Sequence, residues 1–181
     1  MAIPSVPSVP TAPPLPARSV RDEFLGVYDA EHARTMKVLH AYPQEKADLR
    51  PSPKSRTALE LAWIFVIEQL SVEKALTTGF DWTKPMAFPK PPDSLEAILD
   101  AFQKGHEHIR GLISGLRDDE LSETVQFPVG PGRLADWKKV DFLRQVLHDQ
   151  IHHRGQFSVY LRVADAKVPS IYGPSGDEPW F

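Results

Sequence analysis

Three histidines crowd the stretch His148-Asp-Gln-Ile-His152-His153-Arg-Gly-Gln, and imidazole is the commonest side-chain ligand for protein-bound metals. On a helix, residues four apart stand one above the other, so His148 and His152 share a face and can offer two nitrogens to one ion. His153 is turned about 100° from His152 and cannot join that pair without unwinding the helix. The stretch is not a zinc-protease motif. The Glu that would follow the first histidine as general base is replaced by Asp149, which has a shorter reach. Two neighbours strengthen the case for a site. Gly155 sits mid-helix, where glycine costs about 1 kcal/mol relative to alanine, and invites a close approach to the backbone. Arg154 falls within the apolar arc, where it either meets a carboxylate from another helix or carries its charge to the surface along its aliphatic stem.

Four helical segments must position these residues. The first opens at Ser19, with Asp22 three residues on as a capping signal, and runs to Pro43. The second opens near Ser55, after two prolines, and continues to Gly79. The third has Asp93 at its cap position and Glu96 three residues later. The fourth runs from about Asp136 to Asp165, ahead of Pro169. Along the fourth, Val140, Leu143, Val146, Leu147, Ile151, Phe157 and Leu161 form one apolar arc, and His148 and His152 lie just off its edge. The connections Phe80–Pro92 and Arg117–Ala135 are longer than a structural link requires, and long loops in compact domains are more often functional. The tail from Lys167 keeps Ile171, Tyr172, Trp180 and Phe181 among turn formers, so it packs on the body or on a partner subunit. No strand alternation and no glycine-rich phosphate loop is evident. The expectation is an all-α four-helix bundle with long inter-helix loops over residues 19–181, preceded by a proline-rich, extended arm over residues 1–18.

Composition narrows the function. The 181 residues carry a formal charge of −3, with 21 basic residues scattered among 24 acidic ones, which argues against a nucleic-acid partner. There is no cysteine, so disulfides, a thiolate nucleophile and Cys-ligated zinc are excluded, and any thiol chemistry needs an external thiol. The longest apolar run, near Leu61–Ile67, is too short to span a bilayer, and the N-terminal stretch lacks the basic and apolar regions of a signal peptide. A cytoplasmic protein without membrane partners is expected.

The histidine helix with Phe157-Ser-Val-Tyr-Leu-Arg162, followed by the tail Lys167-Val-Pro-Ser-Ile-Tyr-Gly-Pro-Ser-Gly-Asp-Glu-Pro-Trp180, resembles the DinB-like (YfiT-like) four-helix bundle superfamily. The likeness extends upstream through Tyr28–Pro43 and Pro53–Trp63 and covers the chain from about Arg21. It implies a bundle binding zinc or nickel through three histidines, two on the last helix with this spacing and one on the second. It also implies homodimers, and enzymes acting on small molecules as thiol S-transferases, a thiol-dependent isomerase or metal-dependent hydrolases. Here the position of the third histidine, in Glu60-Leu-Ala-Trp63-Ile64, is Ile64, which cannot coordinate a metal. Glu68, one turn on, is the candidate third ligand or general base. Alternatively Glu60 pairs with Arg154 and neither touches metal, or His32 of the first helix substitutes. His106 and His108 read as surface residues, and His40 as a helix-end residue. Two functions follow: a divalent-metal enzyme of hydrolase or thiol-transfer type using His148, His152 and Glu68, or a metal-depleted bundle serving as a non-catalytic binding or structural dimer.

Overall fold

The computed structural model describes residues 19–181; the proline-rich arm expected over residues 1–18 lies outside the described residues. Helix α1 (Val20–His40) starts where the sequence places it, with Ser19 Oγ accepting from the Asp22 amide at 3.1 Å. Helix α2 (Ala58–Leu76) starts later than Ser55, because Thr57 and Glu60 form a reciprocal cap. Thr57 Oγ1 accepts from the Glu60 amide at 3.0 Å, and Glu60 Oε2 accepts from the Thr57 amide at 2.7 Å. Glu60 is thereby committed to the helix end and to Arg50, at 3.5 Å, rather than to Arg154. Helix α3 (Leu95–Ser114) is capped by Ser94 rather than Asp93, and a single turn, α4 (Asp118–Leu121), follows it.

One feature was not expected. The loop between α3 and the last helix contains an antiparallel hairpin, β1 (Thr124–Gly130) and β2 (Arg133–Lys138), with Val125 opposite Trp137 and Phe127 opposite Ala135. Its turn is made by Gly132 at φ 64°, a conformation glycine adopts without penalty. The alternation Val125, Phe127, Val129 is interrupted by Pro128, which hides the strand from a pattern search. The two long loops pack on each other: Phe80 and Trp82 meet Phe127, and Trp82 Nε1 donates to the Gln126 carbonyl at 3.1 Å.

Helix α5 (Lys139–Val163) completes the bundle. Helices α1 and α2 each pack against α3 and α5, so the first two long helices stand at opposite corners. Two apolar clusters fill the two ends. One contains Leu39, Leu61, Phe65, Phe102, Phe157 and Leu161; the other contains Phe24, Val72, Ile109, Ile113, Leu143 and Leu147. Between them, at mid-height of each helix, runs a belt of buried polar side chains: Glu31, His32 and Thr35 on α1, Glu68 and Gln69 on α2, His106 on α3, and Gln150 and Arg154 on α5. Burying polar groups opposes folding unless each finds a partner. Among the described residues no helix is long and apolar enough to cross a membrane.

Candidate metal centre

Gln150 and Arg154, both buried, lie on the centre line of α5's inner face, and Phe142 and Tyr160 mark one of its edges. Asp149 and His153 share that edge, towards α2, while His148 and His152 are turned to the far side. The apolar arc read from the sequence centres the helix nearer Ile151, because it takes in Ile151 and leaves out Phe142 and Tyr160, which are buried on the edge towards α2. His148 is exposed and lies beside Glu23, Phe24 and Val27 of α1. His152 is exposed and accepts from Gln156 Nε2 at 2.9 Å. The structure therefore brings neither His148 nor His152 to Glu68.

It brings Asp149 and His153 there instead. Glu68, Asp149 and His153 each present one ligand atom, and these atoms lie within 4.8 Å of one another, the one such group of three among the described residues. His153 Nε2 is 3.5 Å from Glu68 Oε1 and 3.6 Å from Asp149 Oδ2. Those separations exceed a good hydrogen bond, yet ligands on bonds of about 2.0–2.2 Å to a common ion stand about 3–4 Å apart. Asp149 and His153 are themselves four apart, so the helical argument applied to His148 and His152 holds one residue further along.

Glu68 is 7% exposed, and neither carboxylate oxygen has a hydrogen-bond partner. Burial pushes its carboxyl well above the ordinary range, the nearby Asp149 carboxylate pushes it further, and the neighbouring Gln150 amide opposes them only in part. An orphaned, buried carboxyl beside a second carboxylate is a poor arrangement for stability and a good one for a cation. The donor set passes the same test: two oxygens and one imidazole nitrogen suit a divalent ion. His153 is held in a ligating tautomer. Its Nδ1–H donates to Gln156 Oε1 at 3.2 Å, leaving the Nε2 lone pair towards the carboxylates. The same Gln156 amide donates its N–H to His152 Nε2 at 2.9 Å, so one side chain joins the two imidazoles. Phe65 closes one side, edge-on to His153 with centroids 6.4 Å apart.

Arg154, 1% exposed, meets a carboxylate from another helix: Glu31 Oε2 is 2.7 Å from Nη2, and Nη1 donates to the Glu31 carbonyl and to Thr35 Oγ1. Tyr172 of the tail hydrogen-bonds both Arg154 and Glu31, and the Arg34 and Arg154 guanidinium carbons each lie 5.0 Å from its ring centroid. Burial works against the Glu31 carboxylate, but hydrogen bonds from Tyr172 and Arg154 outweigh it and hold its pKa below the ordinary value. The histidine helix and the tail thus meet in one ionic staple. Ile171 packs on the core, whereas Trp180 and Phe181 remain exposed.

The remaining histidines lie elsewhere. His106 is buried rather than on the surface: its ring stacks on His32 with centroids 3.9 Å apart, and Nε2 faces Asp29 at 3.0 Å. His32 bonds Gln103 at 2.8 Å and is not part of the Glu68 group. His108 is exposed beside Glu73, and His40 ends α1. Ile64 is half-buried on α2, and Gly155 faces open space among the described residues. Asp149 and His153 are the residues beside Glu68 that the wheel reading did not single out. The signal for them was Phe142 and Tyr160, buried apolar residues on the same edge of α5.

Known proteins agree with this architecture. YrdA of Bacillus subtilis (strain 168), an uncharacterized protein, is 28% identical over 160 residues, covering 87% of this chain and 90% of that one. A DinB-like protein from Bacillus cereus ATCC 10987 superposes with a TM-score of 0.70 at 24% identity, over 83% of this chain and 97% of the other. YfiT from Bacillus subtilis, described as a probable metal-dependent hydrolase with an unusual four-helix bundle topology, gives a TM-score of 0.58 at 14% identity, over 87% and 97% of the two chains. A sequence model of the DinB superfamily matches residues 28–157, reaching into all four long helices and spanning Glu68, Asp149 and His153, and the chain belongs to that superfamily.

Proposed function

We propose that the chain is a divalent-metal-dependent enzyme of hydrolytic type acting on a small molecule, with Glu68, Asp149 and His153 as the metal-holding residues. The observation that carries this reading is the buried Glu68 carboxyl, which has no hydrogen-bond partner and faces Asp149 and His153. A bound divalent ion supplies Lewis acidity and acidifies water at neutral pH. The chain's own residues do the rest: Gln156 orients His153, Phe65 restricts water on one side, and Glu68 is able to hold a proton whenever its charge is not compensated. Two carboxylates and one imidazole suit an ion that works on oxygen, such as zinc, and suit thiolate ligands less well. We favour hydrolysis over transfer to an external thiol because carboxylate ligands suit chemistry on oxygen; zinc, nickel and manganese each fit part of this donor set. The description of YfiT as a probable metal-dependent hydrolase points the same way.

The test is a metal-dependent thermal shift. Zinc, nickel or manganese at about 100 times Kd adds about 2.7 kcal/mol to the folded state of a protein that binds only when folded. The shift is expected in wild type and in His148→Ala, and its loss in Glu68→Gln and His153→Ala. Absence of a shift for every ion returns the chain to the alternative of a non-catalytic bundle. Homodimerisation and a cytoplasmic setting belong to the same proposal. Light scattering at twice the 20.3 kDa chain mass tests the first, and fractionation of cells tests the second.

A further inference from the structure

Next to the metal centre, in the groove between α2 and α5, the loop Arg50–Thr57 overhangs a cleft of about 690 Å³, within the size range of small-molecule sites. Three cations line it, Arg50, Lys54 and Arg56, against one carboxylate, Glu60. Arg50 is partnered by Glu60 at 3.5 Å, and neither Lys54 nor Arg56 has an ion-pair partner among the described residues. A protein with net charge −3 thus gathers an excess of positive charge at this cleft.

The loop is built rather than loose. Pro51 and Pro53 restrict its backbone, the Ser55 amide donates to the Ser52 carbonyl at 2.9 Å, and Arg50 Nη1 donates to the Ser55 carbonyl at 3.2 Å. Tyr160 of α5 ties it down by donating to the Arg56 carbonyl at 2.8 Å. The cleft and the metal centre share a residue. Gln156, which orients His153, also lines the cleft. From His153 to Tyr160 is seven residues of helix, about 10 Å. On the facing helix, Ile64 stands between Glu60 in the cleft and Glu68 at the centre. Along the two facing helices the order is therefore a carboxylate-and-imidazole cluster, an apolar residue and a cationic cleft.

We propose that this cleft binds the anionic end, phosphate or carboxylate, of a small molecule whose other end reaches Glu68, Asp149 and His153. The metal reading above supplies the second half of that statement; the cleft itself stands on Lys54 and Arg56. Ile64, where the resemblance expects a ligand, then serves as the apolar contact for the middle of the molecule.

The experiment is an amide NMR titration of the zinc-supplemented full chain with inorganic phosphate and, in parallel, with succinate. Saturable shifts are expected at Ser55–Thr57 and Gln156–Tyr160, with a Kd of about 1 mM for the better oxyanion and about tenfold weaker binding in Lys54→Ala/Arg56→Ala, whose substituted side chains are exposed. Stronger binding of phosphate or of succinate says which oxyanion the cleft prefers. The same titration on Glu68→Gln is expected to keep the cleft shifts. Shifts that vanish in Glu68→Gln and persist in the double variant mean that the anion sits at the metal, which overturns the cleft proposal and leaves the metal reading standing. No saturation in wild type also overturns it. Cleft binding that persists in a protein showing no metal response overturns the metal reading and leaves the anion site.

Discussion

Replacing Glu68 with leucine separates what the site does for function from what it does to stability. Glu68 is 7% exposed and its carboxyl oxygens have no partner. A buried polar group without a partner costs about 1–3 kcal/mol, so Glu68→Leu is expected to stabilise the metal-free protein by about that amount. In a chain of this size that raises Tm by about 2–4 °C per kcal/mol. The pH dependence has a definite sign. Burial, and then the Asp149 charge, raise the folded-state pKa of Glu68. The folded protein therefore holds that proton more tightly than the unfolded chain does. Its contribution to stability is present below the unfolded carboxyl value of about 4.3 and is lost as pH rises through the raised folded value. The gain from Glu68→Leu should accordingly widen as pH rises from about 4.5 towards neutrality. The assay is calorimetric unfolding of both proteins in chelator across that range, repeated with excess zinc. With zinc the order reverses, because wild type gains binding energy and the variant does not. A leucine variant that is less stable than wild type in chelator at every pH would refute the argument that Glu68 is an uncompensated buried acid.

Three further outcomes are expected. Arg154→Met removes the buried partner of Glu31, a change that ordinarily costs about 3–5 kcal/mol; Arg34, still 2.7 Å from Glu31, reduces this to about 2–4 kcal/mol in denaturant unfolding, and under 1 kcal/mol would contradict the staple. Burial, and the neighbouring His32, depress the His106 pKa to about 4, with Asp29 opposing and Arg110 adding to the effect. The neutral ring's contribution is fully present above the unfolded value of about 6.5 and is lost as pH falls from there to about 4, so wild type should lose about 1–3 kcal/mol more than His106→Phe over that interval; equal losses in the two proteins would exclude His106 as the titrating group. Gly105→Ala places a methyl group against Gln69 Oε1, whose side chain is buried and donates to the Phe102 carbonyl at 3.0 Å. It should destabilise by about 1–3 kcal/mol, and a neutral result would show that Gln69 moves freely.

The bundle itself was legible because its helices carry local end signals: Ser19 caps α1 as read, although at α2 the Thr57–Glu60 reciprocal cap lies just past the Ser55 start that the prolines suggested. The hairpin was not, since Pro128 interrupts its short alternation and its partners Phe80 and Trp82 come from another loop. The candidate cluster was partly legible. Glu68 was singled out from its place one turn beyond Ile64, whereas the α5 residues that face it, Asp149 and His153, each lie one position along from His148 and His152. One position is about 100° on a helix, enough to exchange the buried edge for the exposed one. Rotation shows in Phe142 and Tyr160, which the arc left out, and in the burial of Arg154, which Glu31, Thr35 and Tyr172, distant in sequence, make possible. His106 was misplaced for the same reason: its partners His32 and Asp29 belong to α1.

The most direct measurement is metal stoichiometry by mass spectrometry on untagged protein, after chelator treatment and re-addition of zinc, nickel and manganese in turn. The account predicts about one retained ion per chain in wild type and in His148→Ala/His152→Ala, and none in Glu68→Gln, Asp149→Asn or His153→Ala. An ion lost with His148 and His152 but kept without Asp149 and His153, or no ion in any of these proteins, would contradict it.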